Sequence, residues 1–171
     1  MSSESSTTGS TTELTEKDNL GRALGRIASG VYIVSFVRDG VKDGMLSTFV
    51  MQSSFSPPVV VVSVNKKRPL LDVLKEGHPL AINVLSKKNM DAYKAFAKPF
   101  QEGLDRYEGL ELLANEQNLP VLANCVSYIE CKVLSYADAG DHQLLIAEAV
   151  KGAQLNEEEP MIHLRKNGFS Y

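Results

Sequence analysis

From Leu20 onward the apolar residues repeat first at helical and then at strand spacing. Leu20, Leu24 and Ile27 fall at i, i+4 and i+7 with Arg22 and Arg26 off that line, which predicts a short amphipathic helix stopping near Gly30. The period then changes. VYIVSFV, the Asp39-Gly40 turn signal and GMLSTFVMQSSF together predict a hairpin. Pro57-Pro58 opens an almost unbroken valine run, where proline at the first strand positions removes no ladder donor, so a buried strand is expected there. PLLDVLKEG reads as a short helix with Pro69 in its first turn and Gly77 at its end. PLAINVLS reads as a strand and Met90 to Lys98 as a helix, while Gln101 to Pro120 is mixed and loop-like. Two long strands follow, LANCVSYIECKVLSYADAG and DHQLLIAEAVKGAQL, joined at Ala139-Gly140-Asp141, and PMIHLRKNGFSY closes the chain. Many strands with few short helices point to a mainly β fold, a barrel decorated by helices, because closure removes exposed strand edges.

Residues 1–17 are almost all Ser, Thr, Gly and acidic side chains, too little apolar area to offset the entropy of ordering, so a flexible tail is expected before a domain at 18–171. A length of 171 residues suits one domain. The formal net charge of -3 argues against a broad nucleic-acid surface and confines any basic site to a local patch. No apolar run approaches the roughly 20 residues that span a bilayer, and the N-terminus lacks a signal-peptide pattern. A soluble, cytoplasmic protein without a membrane partner is the expectation. Cys125 and Cys131 lie six residues apart in a strand-like segment, which would separate them by roughly 20 Å. They are expected as unpaired buried thiols, and no zinc spacing or other metal site is visible.

Three features permit chemistry. The valine strand ends in Asn65-Lys66-Lys67-Arg68-Pro69. If Pro69 opens a helix, the free N–H groups of its first turn add to Lys66, Lys67 and Arg68 as a holder for a terminal phosphate, with Ser53 and Ser54 as further donors. A lone basic triad is more often a solvated turn, and both readings stand. The second feature is Gly140-Asp141-His142, a tight turn that sets a histidine at the mouth of a strand, where it can titrate, donate a hydrogen bond or stack on a ring. The third is GMLSTFV, where Ser47 and Thr48 between Leu46 and Phe49 let a flat ligand approach the backbone; an ordinary half-buried strand has the same pattern. No nucleophile constellation or paired catalytic carboxylates can be read.

Taken in order, GRIASGVYIVS, DGMLSTFVMQSSFSPPVVVVSV, NKKRPL, LAINVLS, AGDHQLLIAEAV and HLRKNGFSY resemble the flavin reductase-like family of FMN-binding split barrels, most closely the flavin reductase domain of cyanobacterial-type flavodiiron proteins. The resemblance runs from about Leu20 to Tyr171 and implies a six-stranded Greek-key split β-barrel that forms a homodimer. It implies NAD(P)H-dependent reduction of FMN or FAD, with electrons passed to an oxygenase or a diiron protein. Met45, Leu46, Ser47, Thr48 and Phe49 would then run beside the isoalloxazine. Ser53 and Ser54 would approach the ribityl-phosphate arm, Lys66, Lys67 and Arg68 would hold the phosphate, and Ala81 and Asn83 would lie near the flavin. His142 would sit where the nicotinamide of NADH or NADPH approaches. Leu46-Ser47 stands where many members have Thr-Ala, and Phe49 where many have Trp, leaving one hydroxyl fewer beside the ring. The rival readings are an FMN-binding electron carrier or redox sensor that does not accept NAD(P)H, and a scaffold that binds no flavin.

Overall fold

The computed structural model describes residues 14–99, 101 and 103–170. They divide into two compact units, one made of the described residues up to 28 together with 164–170, the other of Ser29–His163. Most of the expected tail, residues 1–13, lies outside the described residues.

In the smaller unit, helix α1 (Glu16–Gly25) begins four residues before the expected Leu20. Thr15 and Asp18 form a capping box: the Asp18 N–H donates to Thr15 Oγ1 (3.1 Å) and the Thr15 N–H to Asp18 Oδ2 (3.0 Å). The buried face is also not the apolar line of the sequence pattern. Leu20 and Ile27 are more than half exposed, whereas Gly21 and Gly25 are buried under the closing segment. The Gly168 N–H donates to Gly21 O (2.7 Å) and the Arg165 N–H to Gly25 O (3.1 Å). A Cβ at Gly25 would stand 2.5 Å from Arg165 O, so this approach needs glycine.

The larger unit carries β1 (Ser29–Gly30), β2 (Tyr32–Arg38), β3 (Val41–Ser47), β4 (Val50–Phe55) and β5 (Pro58–Asn65). After them come α2 (Leu70–Val73), β6 (Pro79–Val84), α3 (Met90–Ala97), β7 (Leu112–Leu113), β8 (Val121–Leu122), β9 (Ser127–Ala139), β10 (His142–Gln154) and β11 (Ile162–His163). Asp39 and Gly40 both take positive φ (50° and 79°), the two-residue turn whose twist matches the β2–β3 hairpin. Gly140 (φ 65°) serves the turn between Ala139 and its partner His142.

The main sheet has seven strands in the order β3-β2-β6-β9-β10-β5-β4, every neighbouring pair antiparallel. The fold is mainly β, as expected, but a closed six-stranded barrel is not what the ladder shows. Its two edges, β3 and β4, are consecutive in the chain and separated only by Thr48 and Phe49. The single strand read over GMLSTFVMQSSF is therefore two strands, and the sheet's ends meet through the covalent chain instead of through ladder hydrogen bonds.

Side chains alternate across this sheet. Val34, Phe36, Val62, Leu80, Ile82, Val133 and Leu145 fill one core, covered by Leu70 and Leu74. Val31, Ile33, Leu85, Phe96, Tyr107 and Leu122 fill a second, on the α3 side. At about 1.5–3 kcal/mol for each large apolar side chain fully buried, these two layers dominate the stabilising terms. The valine run alternates too: Val60, Val62 and Val64 are buried while Val59 and Val61 are only half-buried, because β5 is covered on one face alone. Of the loop-like stretch 101–120, Leu112 and Leu113 pair with Leu122 and Val121.

Candidate functional site

The site begins at the seam between the two sheet edges. Among the described residues β3 is laddered to β2 alone and β4 to β5 alone, so each has one edge outside the ladder; on β3 that edge is already taken at Gly44, whose N–H donates to Asp43 Oδ1 (2.7 Å) and whose O accepts from Arg106 (2.7 Å). Met45 and Ser47 are buried, and Leu46, Thr48 and Phe49 half-buried. At the joint, Phe49 O accepts from the Ser63 N–H (2.9 Å), which pins the end of the seam to β5. Thr48 Oγ1 is buried with no hydrogen-bond partner among the described residues. A buried hydroxyl left so is costly, and a ligand polar atom at the seam would satisfy it.

The end of β5 lies beside this joint, because Asn65 pairs with His142 at the start of β10. The rings of Phe49 and His142 stand 6.1 Å apart between centroids, tilted by 59°. His142 Nδ1 donates to Asp141 Oδ1 at 2.7 Å. That hydrogen bond holds the exposed Asp141 carboxyl below the usual carboxylate range, aided by the charges of His142 and Lys66. Phe49, Asn65 to Arg68 and Asp138 to His142, far apart in sequence, thus share one end of the sheet.

The basic turn differs from expectation in its donors. α2 is a single turn of four residues, without a side-chain cap. Its first N–H groups are already used: Leu71 donates to Arg68 O (3.2 Å) and Asp72 to Pro69 O (3.0 Å). The preceding N–H groups turn inward as well, Lys66 to Asp141 O (3.0 Å), Lys67 to Asn65 Oδ1 (3.0 Å) and Arg68 to Asn65 O (2.9 Å). The N–H groups of Lys66, Lys67, Arg68, Leu71 and Asp72 are thus bonded within the protein, and what the turn chiefly offers an anion is the exposed charge of Lys66, Lys67 and Arg68. Of these, Lys66 is in an ion pair with Asp138, Nζ to Oδ1 2.5 Å.

Ser53 and Ser54 are not brought to the same place. Ser54 pairs with Val59, and Ser53 sits at a register shift with its hydroxyl directed to Val59 O (3.4 Å). Asn65 lies six residues further along β5, roughly 20 Å away, so the two serines and the basic turn of one chain cannot grip one phosphate. Ala81 and Asn83 are wholly buried, because β6 is an inner strand between β2 and β9. Asn83 Nδ2 donates to Ile33 O (3.2 Å), Ser35 Oγ (3.0 Å) and Pro120 O (3.3 Å), and its Oδ1 accepts from the Leu122 N–H (2.8 Å). That amide ties the loop before β8 to the sheet, and neither residue reaches the seam surface.

One group of residues went unread in the sequence. Arg106 donates to Asp43 Oδ1 (3.0 Å) and Gly44 O (2.7 Å), Tyr107 Oη donates to Asp43 O (3.0 Å), and Tyr107 Oη and Ser35 Oγ are hydrogen-bonded at 2.8 Å. Burial pushes the Tyr107 phenol far above its ordinary range. The network fixes the start of β3 and so aims Met45 to Phe49. Nothing local in Asp105-Arg106-Tyr107 signals these hydrogen bonds, since Ser35, Asp43 and Gly44 are more than sixty positions away. A cavity of about 610 Å³ lies between the β2–β3 turn, Pro69 and the 101–105 stretch, lined by Arg38, Lys42, Asp43, Gln101 and Leu104 among others. Phe49, Thr48 and His142 are not in its lining, so the seam is an open edge in the single chain and not part of that cavity. Among the described residues no group of three His, Cys, Asp or Glu side chains is arranged to hold a metal ion. No helix among them is long and apolar enough to cross a membrane.

The family described as "Flavin reductase like domain" matches residues 24–170. Among curated relatives, Diflavin flavoprotein A 1 of Synechocystis sp. is 32% identical over 155 residues, which cover 90% of this chain but 27% of that protein. The chain therefore spans about a quarter of the length of the curated relatives it matches. Among solved structures, flavin reductase PheA2 superposes with a TM-score of 0.72 at 26% identity, covering 84% of this chain and 90% of that one. The NADH:FAD oxidoreductase SgcE6 of Streptomyces globisporus C-1027 superposes with a TM-score of 0.75 at 24% identity, covering 84% and 86%. With the family match running over nearly the whole described chain, the protein belongs to the flavin reductase-like domain family.

Proposed function

We propose that this chain is an NAD(P)H-dependent flavin reductase that holds FMN, or alternatively FAD, along the β3–β4 seam. The observation that carries the reading is the meeting of the unpartnered Thr48 hydroxyl, the Phe49–His142 ring pair and the basic turn at one end of the sheet in a member of this family. The residues present suit a flavin. A flat ring lying along Met45 to Phe49 would pair its polar rim with backbone on the side of β3 away from β2 and with the Thr48 hydroxyl, and Lys66, Lys67 and Arg68 would hold the phosphate. Bound flavin supplies the acceptor for a hydride from nicotinamide, so the chain's task is alignment and exclusion of water more than proton transfer. His142, held by Asp141 and with its ring tilted against that of Phe49, would orient the nicotinamide, and no other catalytic side chain is assigned.

A homodimer fits the same reading. Met51 and Phe55 are 64% and 90% exposed on the edge strand β4, an apolar surface that a second copy would cover. Reducing equivalents would pass to a separate oxygenase or diiron protein in the cytoplasm, with no nucleic acid or membrane involved. Anaerobic mixing of the FMN-loaded protein with NADH, then with NADPH, tests the activity. Loss of oxidised-flavin absorbance with at least one donor is expected; retention with both would make the protein a flavin carrier or sensor, and failure to bind flavin would reject both.

A further inference from the structure

We propose that Asp138 sets how much the flavin's phosphate adds to binding, by holding Lys66 in an ion pair that an incoming phosphate has to displace. The inference rests on the flavin reading above and assigns a specificity-determining residue within it. The Lys66 N–H is bonded to Asp141 O (3.0 Å), so the stem of the side chain starts from a fixed point at the end of β5. Its ammonium lies 2.5 Å from Asp138 Oδ1. Asp138 belongs to β9, opposite Gln143 of β10, while Lys66 follows Asn65, which is opposite His142 of that same β10. The pair therefore bridges the two strands that flank β10, at the level of His142. Asp141 stands on the same turn, and the charge of Lys66 contributes to its lowered pKa.

Of the three cations of the turn, Lys66 is therefore committed to Asp138 before any ligand arrives. With the N–H groups of Lys66, Lys67 and Arg68 turned inward, the turn offers chiefly side-chain charge, so the state of Lys66 decides much of its pull on an anion. A phosphate carries up to twice the charge of a carboxylate and can win Lys66, but only by breaking the existing pair. The side chains of Lys66 and Asp138 are 40% and 71% exposed, so solvent and salt screen the pair and its effect is modest.

The test compares FMN with riboflavin, which has the same ring and no phosphate, in the wild type, Asp138→Asn, Lys66→Ala and the double variant, by fluorescence titration at low and high salt. In Asp138→Asn, FMN is expected to bind about two- to fivefold more tightly at low salt, the range for an exposed pair, with the gain shrinking as salt rises. Riboflavin affinity is expected to stay unchanged, and in the Lys66→Ala background the Asp138→Asn gain should vanish. An equal shift for both flavins, a gain that persists without Lys66, or no gain for FMN would overturn the inference while leaving the flavin reading intact. Failure of the wild type to bind either flavin would overturn the flavin reading, and this inference with it.

Discussion

Phe49, at the joint between the two sheet edges, and His142, at the start of β10, place their rings 6.1 Å apart at the end of the sheet that also carries the basic turn. The contact depends on the sheet's register: Phe49 O is bonded to Ser63 of β5, and β5 pairs with β10. If His142 orients the nicotinamide, His142→Ala is expected to slow flavin reduction by an order of ten- to a hundredfold while leaving flavin affinity little changed. Stopped-flow reduction at saturating donor separates the two effects, and a full wild-type rate would remove His142 from the site.

The hydrogen bond from His142 lowers the Asp141 pKa, so the contact contributes above the ordinary carboxylate range and is lost as pH falls through the lowered value. An NMR titration of the Asp141 carboxyl carbon should place its midpoint below the ordinary carboxylate range; a midpoint within or above that range would contradict the pairing.

Lys67 and Arg68 form no ion pair with any described residue, unlike Lys66. Replacing either by Ala is expected to weaken FMN binding by about tenfold at low salt, as for a charge-assisted hydrogen bond, with a smaller loss at high salt. Isothermal titration across a salt series checks this, and an affinity independent of both residues would return the cluster to a solvated turn.

Asn83 holds five hydrogen bonds, the longest from Cys125 Sγ (3.9 Å), in a fully buried site. Asn83→Ala leaves buried backbone groups without partners and is expected to cost about 2–4 kcal/mol of stability by urea unfolding. The folded fraction should still bind flavin normally. Unchanged stability with lost flavin binding would place Asn83 at the ligand instead.

Burial pushes the Cys125 thiol up to about 11 and, with help from the Glu130 carboxylate, the Cys131 thiol up to about 12, from an ordinary value of 9.0. Raised values mean that the unfolded chain ionises first, so stability falls as pH rises from the ordinary thiol range toward the raised values, and is unaffected by these groups below it. Both thiols are expected to resist alkylation at pH 8 in the native protein and to react on unfolding. Prompt native-state labelling of either would contradict their burial.

How much of this was legible in the sequence follows from the range of the interactions. The Asp39-Gly40 hairpin, β5, β6 and the β9–β10 pair rest on local period and turn chemistry, and all stand within a few residues of their expected places. The division at Thr48-Phe49 carries no Gly or Pro to announce it, so one strand was expected where the sheet has two edges. PLLDVLKEG has the pattern of a longer helix, but the Lys75 and His78 N–H groups already close turns onto Val73 O and Lys75 O as the chain returns to start β6 at Pro79. Helix-start donors for a phosphate are expected from that pattern, but those of Leu71 and Asp72 are spent on Arg68 O and Pro69 O. Phe49–His142 and Lys66–Asp138 join segments remote in sequence, and the Arg106–Asp43 network lies in a stretch with no readable period. Ser53, Ser54, Ala81 and Asn83 were drawn into the site by strand order, which does not reveal which end or which face of a strand a side chain occupies.

The functional outcomes above all depend on where the flavin lies, and a crystal structure of the chain with FMN shows it. The isoalloxazine is expected along Met45 to Phe49, with a polar atom on Thr48 Oγ1 and the phosphate within hydrogen-bond reach of Lys67 or Arg68. FMN lodged instead in the cavity beside Arg38 and Lys42, or with its phosphate on Ser53 and Ser54, would contradict that placement.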